Sequence, residues 1–454
     1  MNIIIEGAGE IGSHLAKILT NEGNEVVVID CDKNRLHRVE SNTGVRTIEG
    51  RLSSISVLEE AGAAEAELFI AVNPLKGQAV NMLSAQIAKS LGCRKVCARI
   101  DDEEYLSYNN KHLFSDLRID MMFYPEHIAA KEVAKAITRN AQDNMDFTRG
   151  RLSLSSYKVR EDSILVNRTV ARLVALLPRS VSMRVVAVRR GNETMIPHAN
   201  TAFEANDTVY IITTRECKKS IDVFFGASYT KADKVMILGG NEIAEMAACM
   251  LSSIVSNVKL IEVDEERCHE LSESTDAYDN VDVVWGDGRN LDFLHDEGIA
   301  EYDVFVACTG NDETNILTCA TAKKIGVSKT IAEVENIDYH RFADDMGVDT
   351  IINKKTLSVG KVIKMTLSNK VRSVKFLHGT NVEVLEYIVP PKSKITYNTL
   401  ENTNFPRNAV IGGVIRGVDS FVAVGSTQIA DYDKVIVFAM QSASKDVDRF
   451  FTDS

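Results

Sequence analysis

Short aliphatic and β-branched runs alternate along this chain with longer stretches in which apolar residues recur every three or four positions. That rhythm predicts strands alternating with helices, and so a parallel sheet with crossover helices. In the first stretch Ile3–Ile5, Val26–Ile29, Val45–Ile48, Leu68–Val72, Lys95–Ile100 and Met121–Phe123 read as strands. Ile11–Asn21 and Val80–Ser90 read as helices between them. After Pro125, HIAAKEVAKAITRNA carries Ile128, Val133, Ala136 and Ile137 on one helical face. Such a helix either completes its own domain's core or packs on a neighbouring copy, and the second reading is preferred here.

The preference comes from repetition. IIIEGAGEIGSHLAKIL (Ile3–Leu19) recurs as VMILGGNEIAEMAACML (Val235–Leu251), and VVVIDCDKNRLH (Val26–His37) as VKLIEVDEERCH (Val258–His269). Asp30 thus pairs with Glu262 and Arg35 with Arg267. Gly50 faces Gly286, LEEAG faces LHDEG, and Phe69–Asn73 faces Phe305–Thr309. The amphipathic stretch has its counterpart in Leu357–Leu367. The intervening segments match as well: Val185–Ile212 faces Val410–Phe438, with Arg190-Gly191 on Arg416-Gly417, Thr201 on Thr427 and Asp207 on Asp433. Each reads as a hairpin turning at its glycine, then a second turn, then a strand. A large α/β unit and a small α+β unit therefore occur twice, in the order A-B-A′-B′.

Gly7-Ala8-Gly9-Glu10-Ile11-Gly12 fits G-x-G-x-x-G between a strand and a helix. In that motif the first glycine permits a tight turn, the second lets a pyrophosphate approach the backbone, and the third lets helix and strand pack closely. The helix-start amides and dipole then favour phosphate. Gly9 is expected to need a left-handed backbone. Asp30, ending the second strand, can accept from ribose hydroxyls and would repel a 2′-phosphate, which favours NAD(H) or an adenine nucleotide over NADP(H).

The second copy departs from the pattern. Asn241 stands where the second glycine should be and Ala244 where the third should be. The asparagine side chain would intrude on the pyrophosphate path, while Glu262 can still bind ribose; a weaker second site and a vestige both remain open. Arg99 faces Glu333, and Gly50-Arg51 faces Gly286-Asp287. Arg99 is expected to reach ligand phosphate, Arg51 to add positive charge to the first site, and Asp287 negative charge to the second. The first copy is the expected anion site.

Composition narrows the function. A net charge of -12 over 454 residues opposes broad nucleic-acid binding, which needs a basic face. The eight cysteines are scattered, only Cys93 and Cys97 lying close together, so buried reduced thiols in a cytoplasmic protein are expected and no metal site is. The chain enters its first strand at once, without a signal sequence, and no apolar run reaches the roughly 18 residues of a membrane span. The nine histidines form no acid–base set and no nucleophile motif appears, so no catalytic residues are assigned.

The glycine loop, the acid of VVVID, the run ACTGNDETN (Ala307–Asn315) and the following IAEV resemble RCK domains, also called KTN domains. The small units, with their I-P-x-x-x-T and D-x-V patterns, resemble RCK C-terminal subdomains. Two full units in one chain resemble the regulatory subunits of Trk-type potassium uptake systems. The implied plan is two Rossmann-like RCK-N domains, each followed by a small α+β RCK-C domain. Their bounds would be 1–124, a crossover helix at 125–147, 148–228, 232–352, a second crossover helix at 353–370, and 371–454. The resemblance implies a nucleotide-sensing gating ring on the inner face of the cell membrane, under a membrane-embedded potassium channel or transporter. NAD(H) is the implied ligand, with ATP or ADP as alternatives. The implied ligand residues are Gly7, Ala8, Gly9, Glu10, Ile11, Gly12, Asp30, Asn73, Pro74 and Arg99, then Gly239, Gly240, Glu262 and Thr309 in the second copy. Arg51 departs from the acid usual in the family, and Asn73–Asn81 is longer than its counterpart, which leaves open how it covers a ligand. A homo-oligomer follows, most simply a dimer presenting four units. The competing reading is an NAD-dependent oxidoreductase; a redox-sensing transcription regulator ranks lower, for want of a basic helix-turn-helix.

Overall fold

A computed structural model of the chain describes every residue except 22, 75–76, 108, 111–113, 115, 139–142, 148–150, 179, 192, 227–231, 367–370, 378–379 and 452–454. It forms two compact units that do not follow chain order. One joins Met1–Ala134 to Asp233–Thr366, the other Lys135–Ala232 to Leu367–Ser454. Each large repeat is thus grouped with its counterpart, and each small repeat with its own.

In the first unit every large repeat builds a six-stranded parallel sheet. The strands are Asn2–Glu6, Glu25–Asp30, Arg46–Glu49, Leu68–Ala71, Lys95–Arg99 and Met121–Phe123, then Lys234–Leu238, Asn257–Glu262, Val281–Trp285, Val304–Ala307, Lys329–Glu333 and Thr350–Ile352. Numbered within its repeat, each set has the order 3-2-1-4-5-6. Helices cover both faces, so the central strands carry continuous apolar runs. Ile3, Ile4 and Ile5 are no more than 2% exposed, and Val304, Phe305, Val306 and Ala307 no more than 1%. Between the first and fourth strands the order reverses, the switch point at whose carboxyl ends sheets of this order form a ligand crevice.

The helix Lys354–Thr366 lies against the helix Glu10–Asn21 of the first repeat. Lys95 Nζ donates to the Met365 carbonyl at 2.9 Å, and Tyr124 donates its hydroxyl to Glu242 at 3.0 Å. The neighbouring copy expected for the crossover segment is the other repeat of the same chain. The first crossover helix runs Pro125–Thr138. Asp143–Phe147, expected as its continuation, is instead a strand antiparallel to Leu152–Lys158. Tertiary pairing overrides helical rhythm there, because Phe147 is buried in the core of the small sheets.

The second unit holds two five-stranded sheets. Their strands, in chain order, are Asp143–Phe147, Leu152–Lys158, Met183–Arg190, Glu193–Met195 and Thr208–Thr214, then Val371–Phe376, Val382–Ile388, Ala409–Arg416, Asp419–Val422 and Lys434–Met440. Counted within each, they run 4-3-5-2-1 in the first and 1-2-5-3-4 in the second, the same order from opposite edges. Arg190 forks onto Asp207 at 2.9 Å twice, and Arg416 onto Asp433 at 2.9 and 2.7 Å. The second turns fall at Asn206 (φ 69°) and Tyr432 (φ 68°). The two sheets share one core, in which Leu152, Val186 and Ile212 meet Val384, Val410 and Phe438. Close approach explains Gly412-Gly413: a Cβ on Gly413 would stand 2.6 Å from Leu152 Cδ1, and one on Gly412 2.5 Å from Phe438.

Candidate functional site

The first crevice is built by the glycine loop. Gly7 has φ +113°, and a Cβ there would press on the Val72 and Asn73 backbone at 3.0–3.1 Å. A Cβ on Gly12 would sit 1.8 Å from the Gly7 carbonyl oxygen, so the third glycine lets helix meet loop. Gly9 corrects an expectation. Its φ is not left-handed, and a Cβ there would meet only Pro74, at 3.6 and 3.7 Å. Its missing side chain matters on the ligand side and not for backbone conformation.

Asp30 is 2% exposed and already bonded. Oδ2 accepts the Ala8 amide at 2.6 Å and Oδ1 the Asp32 amide at 2.8 Å, so the acid expected to meet ribose tethers the loop. Gly9 caps the helix through its carbonyl, which accepts from the Ser13 amide at 2.8 Å. Among the described residues no acceptor takes the amides of Gly9, Glu10 or Ile11. Free amides, a bare Gly9 and a carboxylate at the second strand's end suit a nucleotide diphosphate.

Asn73 and Pro74 form the opposite lip, and an unforeseen residue holds them. Asn81, fully buried, accepts the Asn73 amide at 3.0 Å and donates to the carbonyls of Asn73 (3.0 Å) and Arg99 (3.1 Å). Asn315 does the same in the second copy, between Thr309 and the Glu333 carbonyl. Its recurrence at one position of both repeats was the available signal. Residues 75–76 of the Asn73–Asn81 loop lie outside the described residues. Glu6 was also missed: it is 1% exposed, accepts the Ser53 amide at 2.9 Å, and is pushed up from the usual carboxylate range by burial. Its counterpart Leu238 packs where a Cβ on Gly288 would come within 2.3 Å.

Arg99 does not stand free to meet phosphate. Nε donates to Asp101 at 3.0 Å, and Nη2 to Glu126 at 3.3 and 3.4 Å, with the side chain 14% exposed. Two of its nitrogens are thus turned to acids of its own chain. Arg51 is exposed, after the third strand.

The second crevice is filled by its own chain. Gly239 keeps a left-handed φ of +104°. A Cβ on Gly240 would press within 2.6 Å of the Glu262 carboxylate. Asn241 is extended (φ −71°), and its Oδ1 accepts the Ala244 amide at 2.9 Å, an N-cap where phosphate would sit. Its Nδ2 donates to Glu333 at 2.9 Å. Arg267 closes the other side, donating to the Gly240 carbonyl at 2.8 Å and bridging Glu245 and Glu270 at 2.6 and 2.9 Å. Glu262 spends Oε1 on the Asp264 amide at 2.8 Å. Asp287 corrects another expectation. Arg289 pairs with it at 2.8 Å and holds its carboxyl below the usual range, so its charge is largely cancelled. The Glu262–Trp285 register sets the only tryptophan beside this crevice. It is 57% exposed, and its Nε1 donates to the Val263 carbonyl at 3.1 Å.

Burial pushes the Glu333 carboxyl up to about 7, against the attraction of Lys354 and the Asn241 bond, with Glu335 and Asp312 adding to the rise. The folded chain then holds a proton that the unfolded chain has lost above about pH 4.5, so stability falls as pH rises to about 7 and levels beyond. Glu333→Gln removes this term while still accepting from Asn241. The variant should be more stable than wild type at pH 8 by a few kcal/mol, at about 1.4 kcal/mol per pKa unit, with the gap closing at pH 5. Thermal melts at the two pH values measure it, and an equal gap at both would contradict the assignment.

Comparison with known proteins places these features. The TrkA-N domain family matches residues 3–125 and 235–354, and the TrkA-C domain family residues 154–217. A Trk system potassium uptake protein TrkA homolog of Archaeoglobus fulgidus is 30% identical over 454 residues, spanning 99% of this chain and 100% of the relative. The crystal structure of the GsuK RCK domain superposes with TM-score 0.59 at 15% identity, over 99% of this chain and 94% of that one. The GsuK channel bound to NAD does so with TM-score 0.58 at 15% identity, over 99% and 78%. At such identity the likeness to solved structures concerns the fold, two Rossmann-like RCK units with small mixed partners. The full-length relative and the matched domains carry the assignment: the chain belongs to the TrkA family of Trk system potassium uptake proteins.

Proposed function

We propose that the chain is the nucleotide-sensing regulatory subunit of a Trk-type potassium uptake system, working from the cytoplasmic face of the membrane as an oligomer. NAD(H) binds the first crevice, and ADP or ATP competes for it. The carrying observation is the contrast between the crevices, one with bare amides around Gly9 and the other capped by Asn241. Gly7–Gly12 holds the pyrophosphate, Asp30 the ribose, and Asn73 and Pro74 cover it; Gly239, Gly240, Glu262 and Thr309 line a crevice that its own side chains fill. Two findings on related proteins support the reading: the relatives are named for potassium uptake, and a channel of the same fold is described as bound to NAD. Among the described residues no helix is long and apolar enough to cross a membrane, so on this reading the membrane partner is another chain. A ligand that favours one packing of the paired repeats shifts the population and thereby the partner's state.

Mass analysis of nucleotide carried through purification identifies the ligand. Co-purification with a membrane-embedded potassium transporter tests the role, and steady NADH turnover with carbonyl substrates would favour an oxidoreductase instead. Trp285 reports the order of filling. NADH should saturate the first site with little energy transfer from Trp285, any transfer appearing in a later, weaker phase. A single strong transfer phase that saturates first and survives Gly9→Val would make the second site the tighter one.

A further inference from the structure

We propose that Lys355, contributed by the second large repeat, is a phosphate-binding residue of the first nucleotide site. This rests on the reading that the Gly7–Gly12 loop holds a nucleotide. Lys355 lies in the helix packed on Glu10–Asn21. Its Nζ is 3.2 Å from Glu10 Oε2 and 3.2 Å from Glu335 Oε2, and its side chain is 16% exposed. Glu10 is both a residue of the glycine loop and the first residue of the helix whose amides stand open. A cation from the other repeat is therefore held at the mouth of the first crevice.

The charge balance favours such a group. A pyrophosphate adds two negative charges to a crevice already lined by Asp30 and Glu10. Two nearby arginines are committed, Arg99 to Asp101 and Glu126, and Arg35 to Asp32 at 3.4 Å, while Arg51 is exposed after the third strand. The helix-start amides repel an ammonium and attract phosphate, so Lys355 is held by the Glu10 and Glu335 carboxylates and, at 3.4 Å, by the Glu335 carbonyl. A pyrophosphate seated on those amides offers a stronger partner, and Lys355 exchanges Glu335 for it. Glu335 then falls to Lys354, 3.8 Å away.

The exchange is one-sided. Strand register pairs Arg99 with Phe123 and Glu333 with Ile352. Three residues further on in each repeat stand Glu126 and Lys355, so these occupy equivalent places. The second repeat lends a cation to the first site, and the first repeat has an acid in the corresponding position. That acid is engaged by Arg99 at 3.3 Å and Lys354 at 3.8 Å.

The test uses the full chain, with NADH titrations of wild type, Lys355→Gln and Lys355→Arg at several salt concentrations. Loss of one charge-assisted contact should weaken NADH roughly tenfold or more in Lys355→Gln. The fall of affinity with salt should also become shallower, and Lys355→Arg should keep most of the affinity. Undiminished binding by Lys355→Gln overturns the proposal. So does weakened binding with an unchanged salt slope, which marks a structural role. A wild-type chain that binds neither NADH nor ADP removes the nucleotide reading itself, whereas normal wild-type binding beside an unaffected Lys355→Gln removes this inference alone.

Discussion

Gly9→Val should abolish nucleotide binding and leave the fold standing. On the proposed reading, a side chain at position 9 projects into the space where phosphate would meet the amides of Gly9, Glu10 and Ile11. Losing two charge-assisted hydrogen bonds lowers affinity on the order of a hundredfold at least. The fold has little to lose, because the Gly9 backbone is not left-handed and a Cβ there meets only Pro74 at ordinary contact distance. The poorer N-cap costs on the order of 1 kcal/mol, which in a unit of this size shifts the melting midpoint by roughly 2–4 °C. Calorimetry with NADH and a thermal melt on the same sample decide the matter. Retained affinity would put the ligand elsewhere, and a collapsed melting curve would show Gly9 to be structural.

Asp30→Ala should weaken NADH less than Gly9→Val does, yet destabilise the chain more. The carboxylate proposed to meet ribose hydroxyls already accepts the amides of Ala8 and Asp32. Removing it leaves both donors short of an acceptor in a largely buried place, a loss of roughly 2–4 kcal/mol at about 1–2 kcal/mol per group. Urea unfolding reads that loss, and titration should show a roughly tenfold weaker NADH complex through the missing ribose contact. The two variants together separate a residue that only clears space from one that both binds and braces. Equal unfolding midpoints for Asp30→Ala and wild type would mean that the loop is held by something other than this carboxylate.

The glycine loop, the acid that ends the second strand and the doubled plan were legible because each is written locally, in a buried aliphatic run followed by glycines at fixed spacing. The small units were legible through their turns, whereas the Arg190–Asp207 and Arg416–Asp433 pairs join positions that the repeat aligned without indicating that they meet. What stayed hidden depends on partners far along the chain. Asn241 was recognised as an intruder, but its bond to Glu333 joins positions that only the closed sheet brings together. Arg99 and Asp287 carry the expected charges, yet neighbouring ions consume them, and charge counted along a sequence says nothing of that. Lys355 sits in a helix with no motif, and its relation to Glu10 exists only once one repeat has folded onto the other. Asp143–Phe147 was read as helix because a helical face precedes it, while the pairing strand comes later.

The pairing of each large repeat with its own counterpart frees the two halves from twofold symmetry. Where two identical chains associate, every substitution appears on both sides of the seam, so an acid that suits one site is imposed on the other. Fusion removes that constraint, and Glu126 and Lys355 can diverge in sign. It also removes dependence on protein concentration: the partner of the first nucleotide crevice is tethered to it, and dilution that dissolves an assembly of chains leaves this pair intact. Nucleotide affinity at the first site should therefore be the same in a dilute, dissociated sample as in a concentrated one, and any concentration dependence of the response belongs to the contacts between chains.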